Sequence, residues 1–220
     1  MKILFIYLFI SILFPSSNNY IIDFYGIDIM YVSDNTIDTL LLDDVVKMNH
    51  YNTQTTGPFN IIFPTNNIYT TYYDENYSPI LYIKDIDQFG NVKYHANINS
   101  KNTISDLKLN NTLNIFSLLD YIEDNSPNID NEKIIIQGNM IYNCSIKKIS
   151  IKNEVIKYSI DFVPIKKLNV DDDKEDVFTD HVFNTNGTRY IWVNTNKKQI
   201  ERCKFKLGFM KLNARRVHNQ

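Results

Sequence analysis

The side chains best suited to acid–base or metal chemistry are the four histidines, His50, His95, His181 and His218. They are scattered along the chain with no metal-ligand spacing among them. Asp180-His181 carries two groups of a catalytic pair, but no nucleophile motif accompanies it, so the dipeptide reads as part of a solvent-exposed loop. Asp171-Asp172-Asp173-Lys174-Glu175-Asp176 is rich in the oxygens that Ca²⁺ prefers. It lacks the glycine and the alternate-position spacing of a calcium loop and reads as a solvated acidic loop. No Ser-His-Asp elbow, phosphate loop or dinucleotide fingerprint occurs. The expectation is a protein that is not an enzyme and needs no metal or cofactor.

Two further groups of residues bear on function. Cys144 and Cys203 fit no zinc or redox spacing, and the pair is either a disulfide or two separate buried thiols. Phe, Tyr and Trp make up 13% of the chain. Phe24, Phe116, Tyr158, Phe162, Trp192 and Phe205, with Phe209, are candidates to line an apolar ligand-binding lumen, or else to fill the core of the same sheet. Arg215-Arg216 beside Lys211 reads as a charged C-terminal edge, because each cation near an anionic membrane contributes only about 1 kcal/mol.

The elements that must position these residues are mostly strands. Near the C-terminus Cys203, Phe205 and Leu207 alternate with Arg202, Lys204 and Lys206, and after Gly208 the apolar set moves to Met210, Leu212 and Ala214. Strict alternation gives one wet and one dry face, and a change of phase at glycine indicates a bulge or sharp bend. Ile22 and Phe24 repeat this before Gly26, which reads as a bend within one strand. Leu40, Leu42, Val46 and Met48 are candidate core positions of a strand over residues 39–50. Ile156, Tyr158, Ile160 and Phe162 form another dry face. One helix is expected over residues 112–124, with Leu113, Phe116, Leu119 or Asp120, and Ile122 on its apolar stripe and Thr112 or Asn111 as its cap. The fold class is therefore mainly β: a single curved antiparallel sheet, an open or half-closed barrel, wrapped around one short helix with a dry inner surface.

At 220 residues the chain suits a single β-rich domain. Lys2 precedes a twelve-residue apolar block from Ile3 to Phe14, and Pro15-Ser16-Ser17 follows. That block is shorter than the ~20 residues a spanning helix needs and has the form of a signal peptide. The expected layout is a signal peptide over about 1–17, a domain over 18–220 that does not span a membrane, and a periplasmic or cell-envelope address. A formal charge of −2 argues against nucleic acid as a partner.

Five stretches together resemble a family of exported bacterial proteins, domain of unknown function 3108. They are Phe24-Tyr25-Gly26-Ile27-Asp28; Tyr69 to Asp74 followed by Ser78-Pro79-Ile80; Leu113 to Tyr121; Ile134 to Tyr142 leading to Lys157 through Pro164; and Tyr190-Ile191-Trp192-Val193 through Gly208 to Ala214. The resemblance covers most of the chain after residue 17. It implies a long curved sheet half-closed around a helix, similar to lipoprotein carriers, with a lipid or acylated protein as partner. The expected function is non-catalytic binding of a hydrophobic ligand. The alternative is a scaffold with a filled core that binds a protein through a sheet edge. A continuous apolar pocket of roughly 300 Å³ or more separates the two.

Overall fold

The structure, a computed structural model, describes residues 18–41, 44–90, 92–99, 112–168 and 176–217. The signal-peptide segment, Leu42, His218 and all of the acidic run except Asp176 lie outside the described residues. Thirteen strands form one sheet: β1 (Asn18–Phe24), β2 (Ile27–Leu41), β3 (Asp44–Thr55), β4 (Asn66–Tyr73), β5 (Pro79–Gln88), β6 (Val92–Asn99), β7 (Thr112–Leu113), β8 (Glu132–Gln137), β9 (Met140–Lys152), β10 (Val155–Lys167), β11 (Thr188–Asn194), β12 (Gln199–Leu207) and β13 (Met210–Arg216). Among the described residues there are three helices rather than one: α1 (Phe59–Ile62), α2 (Ile115–Asn125) and α3 (Val177–Phe183).

The sheet runs β6-β5-β4-β3-β2-β1-β13-β12-β11-β10-β9-β8-β7. It is two meanders joined where the first strand pairs with the last, Tyr20 opposite Arg216 and Phe24 opposite Leu212. All neighbours are antiparallel except β7 and β8. The expected curved antiparallel sheet is thus present, and it does not close on itself. Gly26 is not a bend within a strand. Tyr25 and Gly26 take positive φ, 52° and 84°, and turn β1 into β2, with the Asp23 carboxylate accepting the Gly26 N–H. Leu40 stands near the β2–β3 turn and is 69% exposed, whereas Val46 is buried.

The helix α2 begins at Ile115, three residues later than the sequence suggests, because Asn114 rather than Thr112 is its cap. The Asn114 side chain accepts the N–H groups of Phe116 and Ser117, and the Ser117 hydroxyl accepts the Asn114 N–H. This reciprocal arrangement satisfies donors that a helix start otherwise leaves orphaned. The same Asn114 donates to the Thr71 hydroxyl at 2.8 Å and so fastens the helix to β4. Asn114→Ala should cost about 2 kcal/mol, measured as a lower urea midpoint with an unchanged m-value.

Its buried face carries Phe116, Leu118, Asp120 and Ile122, and Leu119 is half-buried against the same core. Phe116 is the hub of the core, with ring centroids of Tyr51, Tyr69, Tyr82 and Phe178 at 4.9, 5.1, 5.8 and 6.2 Å. Tyr51, Tyr69 and Tyr82 come from β3, β4 and β5, and the same cluster takes in Ile135, Ile146, Ile156, Tyr158, Ile160, Ile191 and Val193 from β8 to β11. The helix therefore bridges two halves of the roll, and Gln137 of β8 donates to the Tyr82 hydroxyl of β5 between them.

The inner surface differs between the two halves, against the expectation that all of it is dry. On β9 to β12 it is apolar apart from the buried Arg189 at one end of β11. On β2 to β6 the register aligns Asp34, Tyr51, Tyr69, Lys84 and Ala96 in one row, and Thr36, Asn49, Thr71, Tyr82 and Ile98 in the next. Asp34, Asn49, Thr71 and Lys84 are all buried.

Candidate functional site

The six lumen candidates separate into three environments. Phe116, Tyr158 and Phe162 are buried in the main core. Phe24 is half-buried at the β1–β2 turn, edge-on to Tyr25 at 4.8 Å. Phe205 is half-buried beside Gly187, under the Arg189 guanidinium at 5.8 Å, which also lies 5.1 Å from the Phe162 ring. Trp192 lies on the opposite face: it alternates with buried Ile191 and Val193, and its ring sits against Lys157, Arg202 and Tyr190. Trp192 is thus an outer-surface residue and lines no lumen.

Of the two readings for the cysteines, the structure has separate thiols. Cys144 and Cys203 are free. They sit on β9 and β12 with β10 and β11 between, three strand spacings or about 14 Å, beyond the reach of a disulfide. Burial pushes both thiols up to about 12, with the charge of Glu123 adding to the effect on Cys203, so neither is a ready nucleophile. The three described histidines have separate surroundings: His50 Nδ1 lies 3.0 Å from the Thr70 hydroxyl, exposed His95 Nδ1 lies 2.5 Å from Asp85, and His181 Nδ1 lies 3.8 Å from Asp180 on α3. Among the described residues no three His, Cys, Asp or Glu side chains converge as metal ligands.

The titratable groups that the fold does gather are three carboxyls inside the roll, and the sequence reading missed two of them. Asp120, on the inner face of α2, accepts from the Asn49 amide at 2.8 Å and from the Tyr73 hydroxyl. Glu123, one helical turn along, accepts the Ile200 backbone N–H at 2.5 Å. Asp34 of β2 accepts a long bond from Asn18 at 3.5 Å, and its carboxyl also interacts with the Tyr51 hydroxyl. Burial pushes Asp34 up to about 8, and the neighbouring charges of Asp120 and Glu123 push the same way. Burial likewise raises Glu123 to about 7, against the opposing bond from Ile200, and raises Asp120 against the bonds from Tyr73 and Asn49. Burial thus favours the protonated form of all three acids, most clearly for Asp34. Together with the tyrosine hydroxyls they form a hydrogen-bonded layer between helix and sheet.

A second buried charge centre lies beside this layer. Asp176 belongs to the core rather than to a solvated loop: it is 1% exposed and caps α3, accepting the Thr179 N–H at 2.8 Å and its hydroxyl at 2.9 Å. It also accepts from Tyr69 at 3.2 Å, and Lys84 Nζ stands 3.6 Å away with both side chains fully buried. Period-2 spacing was the signal available for these residues. Met30, Val32 and Asp34 share a face, as do Tyr82, Lys84 and Ile86.

Two depressions, of about 390 and 430 Å³, open beside the β5–β6 hairpin. They are lined mainly by exposed residues such as Ile61, Ile62, Phe89, Lys93 and His95, not by the lumen candidates. Among the described residues no helix is long and apolar enough to cross a membrane.

No protein-family model matches the chain, and no curated protein matches it. Among solved structures it is similar to a β-barrel-like protein of domain of unknown function 1849 from Brucella abortus. The two are 7% identical over 92% of this chain and 95% of that one, with a TM-score of 0.49. That likeness concerns shape and does not extend to the specific family whose motifs the sequence resembles.

Proposed function

We propose that this chain is a non-catalytic, exported binding protein whose rolled sheet is a filled scaffold and which meets its partner on its outer surface. The observation that carries this reading is the way α2 occupies the inside of the roll. Leu118 and Ile122 have no exposed surface, Phe116 packs against three strands and α3, and Asn114, Asp120 and Glu123 bond to three different strands. A carrier of acyl chains needs a continuous apolar lumen, because burial of each CH₂ is what drives its uptake, at about 0.8 kcal/mol. Here the corresponding space on the β2–β6 side is lined by Asp34, Asn49, Thr71 and Lys84, which favours the scaffold over the carrier. Export rests on the apolar segment before Pro15, and the order of the five family-like stretches is in keeping with an envelope protein.

The reading is tested by titrating the purified protein with a fluorescent fatty acid. The expected result is no saturable rise in probe emission at micromolar protein. Stoichiometric uptake that unlabelled fatty acid displaces would overturn it in favour of the carrier.

A further inference from the structure

The outer face of β10 to β13 concentrates positive charge in a chain whose formal total is −2. Across the four strands the register aligns Lys157, Trp192, Arg202 and Arg215 in one row. Tyr190, Lys204 and Asn213 form the next, and Thr188, Lys206 and Lys211 the third. The cations are close enough to act on one another. Slight desolvation, and then the charges of Lys211, Arg202, Lys157 and Lys206, hold the Lys204 ammonium below its ordinary value. Acidic groups sit at the margin, where Asp28 pairs with Arg215 at 2.8 Å and Asp23 holds Asn213.

The same strands end in an apolar tip. Phe209, in the β12–β13 turn, is 85% exposed, and Tyr25 and Ile27 of the adjoining β1–β2 turn are 60% and 58% exposed. Tyr25 donates its hydroxyl to the Phe209 carbonyl, which fixes the two turns side by side. Lys206 and Lys211, paired across the β12–β13 hairpin, flank that tip.

We propose that this face docks on an anionic phospholipid bilayer, with Phe209, Tyr25 and Ile27 entering the headgroup boundary and Lys204, Lys206, Lys211 and Arg202 meeting acidic headgroups. The proposal rests on the reading that the protein works from its outside. A cationic patch alone would suit any polyanion, and two features select the bilayer. The aromatic rings on the face already carry their own cations, Lys157 at 3.9 Å from the Tyr190 ring and Arg202 at 5.1 Å from Trp192, which leaves less ring surface for stacking bases. Exposed apolar side chains beyond the cations suit a boundary that is charged outside and apolar within.

The test is co-sedimentation of the full chain with vesicles of phosphatidylcholine alone and of phosphatidylcholine with about a third phosphatidylglycerol. Trp192, the only tryptophan, reports contact through its own emission. Binding should be at least about tenfold tighter to the acidic vesicles and weaken as salt screens it. Lys204→Glu/Lys206→Glu/Lys211→Glu should lower it by roughly 100-fold, at about fivefold or more per lysine, and Phe209→Ser by about tenfold, both with unchanged circular dichroism. Equal or absent binding to the two vesicles, wild-type binding by the triple variant, or capture of single-stranded DNA or an acidic polypeptide without vesicle binding each overturn the proposal. Uptake of fatty acid by the free protein sinks the filled-scaffold reading instead, so the two failures are distinct.

Discussion

Replacing Lys84 by methionine should destabilise the protein by roughly 3–5 kcal/mol, although it removes a charge and leaves an apolar side chain of similar size. The reason is what it leaves behind. Asp176 is fully buried, accepts from Tyr69 and Thr179, and has the Lys84 ammonium 3.6 Å away as its counter-charge. Without that ammonium an uncompensated carboxylate remains in the core, or the site must take up a proton. The partner change gives the internal control. Asp176→Asn keeps an oxygen that can cap α3, so Lys84→Met/Asp176→Asn should recover most of the loss. Urea unfolding of the two single variants and the double variant measures this directly. Additive costs would show that the two groups are not energetically coupled.

The second large effect is on pH dependence. Asp34 has its folded-state value pushed up to about 8 and Glu123 to about 7, above their ordinary values of 3.8 and 4.5. Over that window the unfolded chain has lost these protons while the folded chain keeps them, so folding takes protons up. Stability then falls as pH rises, from about 4 through 8, and levels off above. This sign is opposite to that of a carboxylate held by a salt bridge. For Asp34 the full cost at alkaline pH is on the order of 5 kcal/mol. Asp34→Asn, a near-isosteric change that can still accept from Asn18, should therefore stabilise the protein by several kcal/mol at pH 9, by about 1–2 kcal/mol at pH 5, and change little near pH 3.5. Thermal melts across this range should show the wild type melting higher at pH 5 than at pH 8.5, with a flatter profile for the variant.

The sequence carried the strands legibly because most of them alternate. Ile156, Tyr158, Ile160 and Phe162 are all buried, as the period of two required. The helix was legible through Phe116 and Ile122. Its cap was placed too early because Asn111, Thr112 and Asn114 are all plausible caps, and only the β7–β8 pairing assigns Thr112 and Leu113 to a strand. The polar half of the interior was not legible. Reading hydrophobicity as burial puts Asp34, Asn49, Lys84 and Asp176 outside, and only partners distant in sequence bring them in: Asp120 for Asn49, 71 residues away, and Asp176 for Tyr69, 107 residues away. Trp192 failed for the converse reason. It is aromatic and on a strand, but its own alternation with Ile191 and Val193 assigns it to the wet face, where Lys157 and Arg202 cover it.

The central claim is that the inside of the roll is occupied by the protein's own side chains. Native mass spectrometry of gently purified protein, compared with the denatured chain, tests it most directly. The account predicts identical masses under both conditions. A lipid-sized increment that is present natively and lost on denaturation would contradict it.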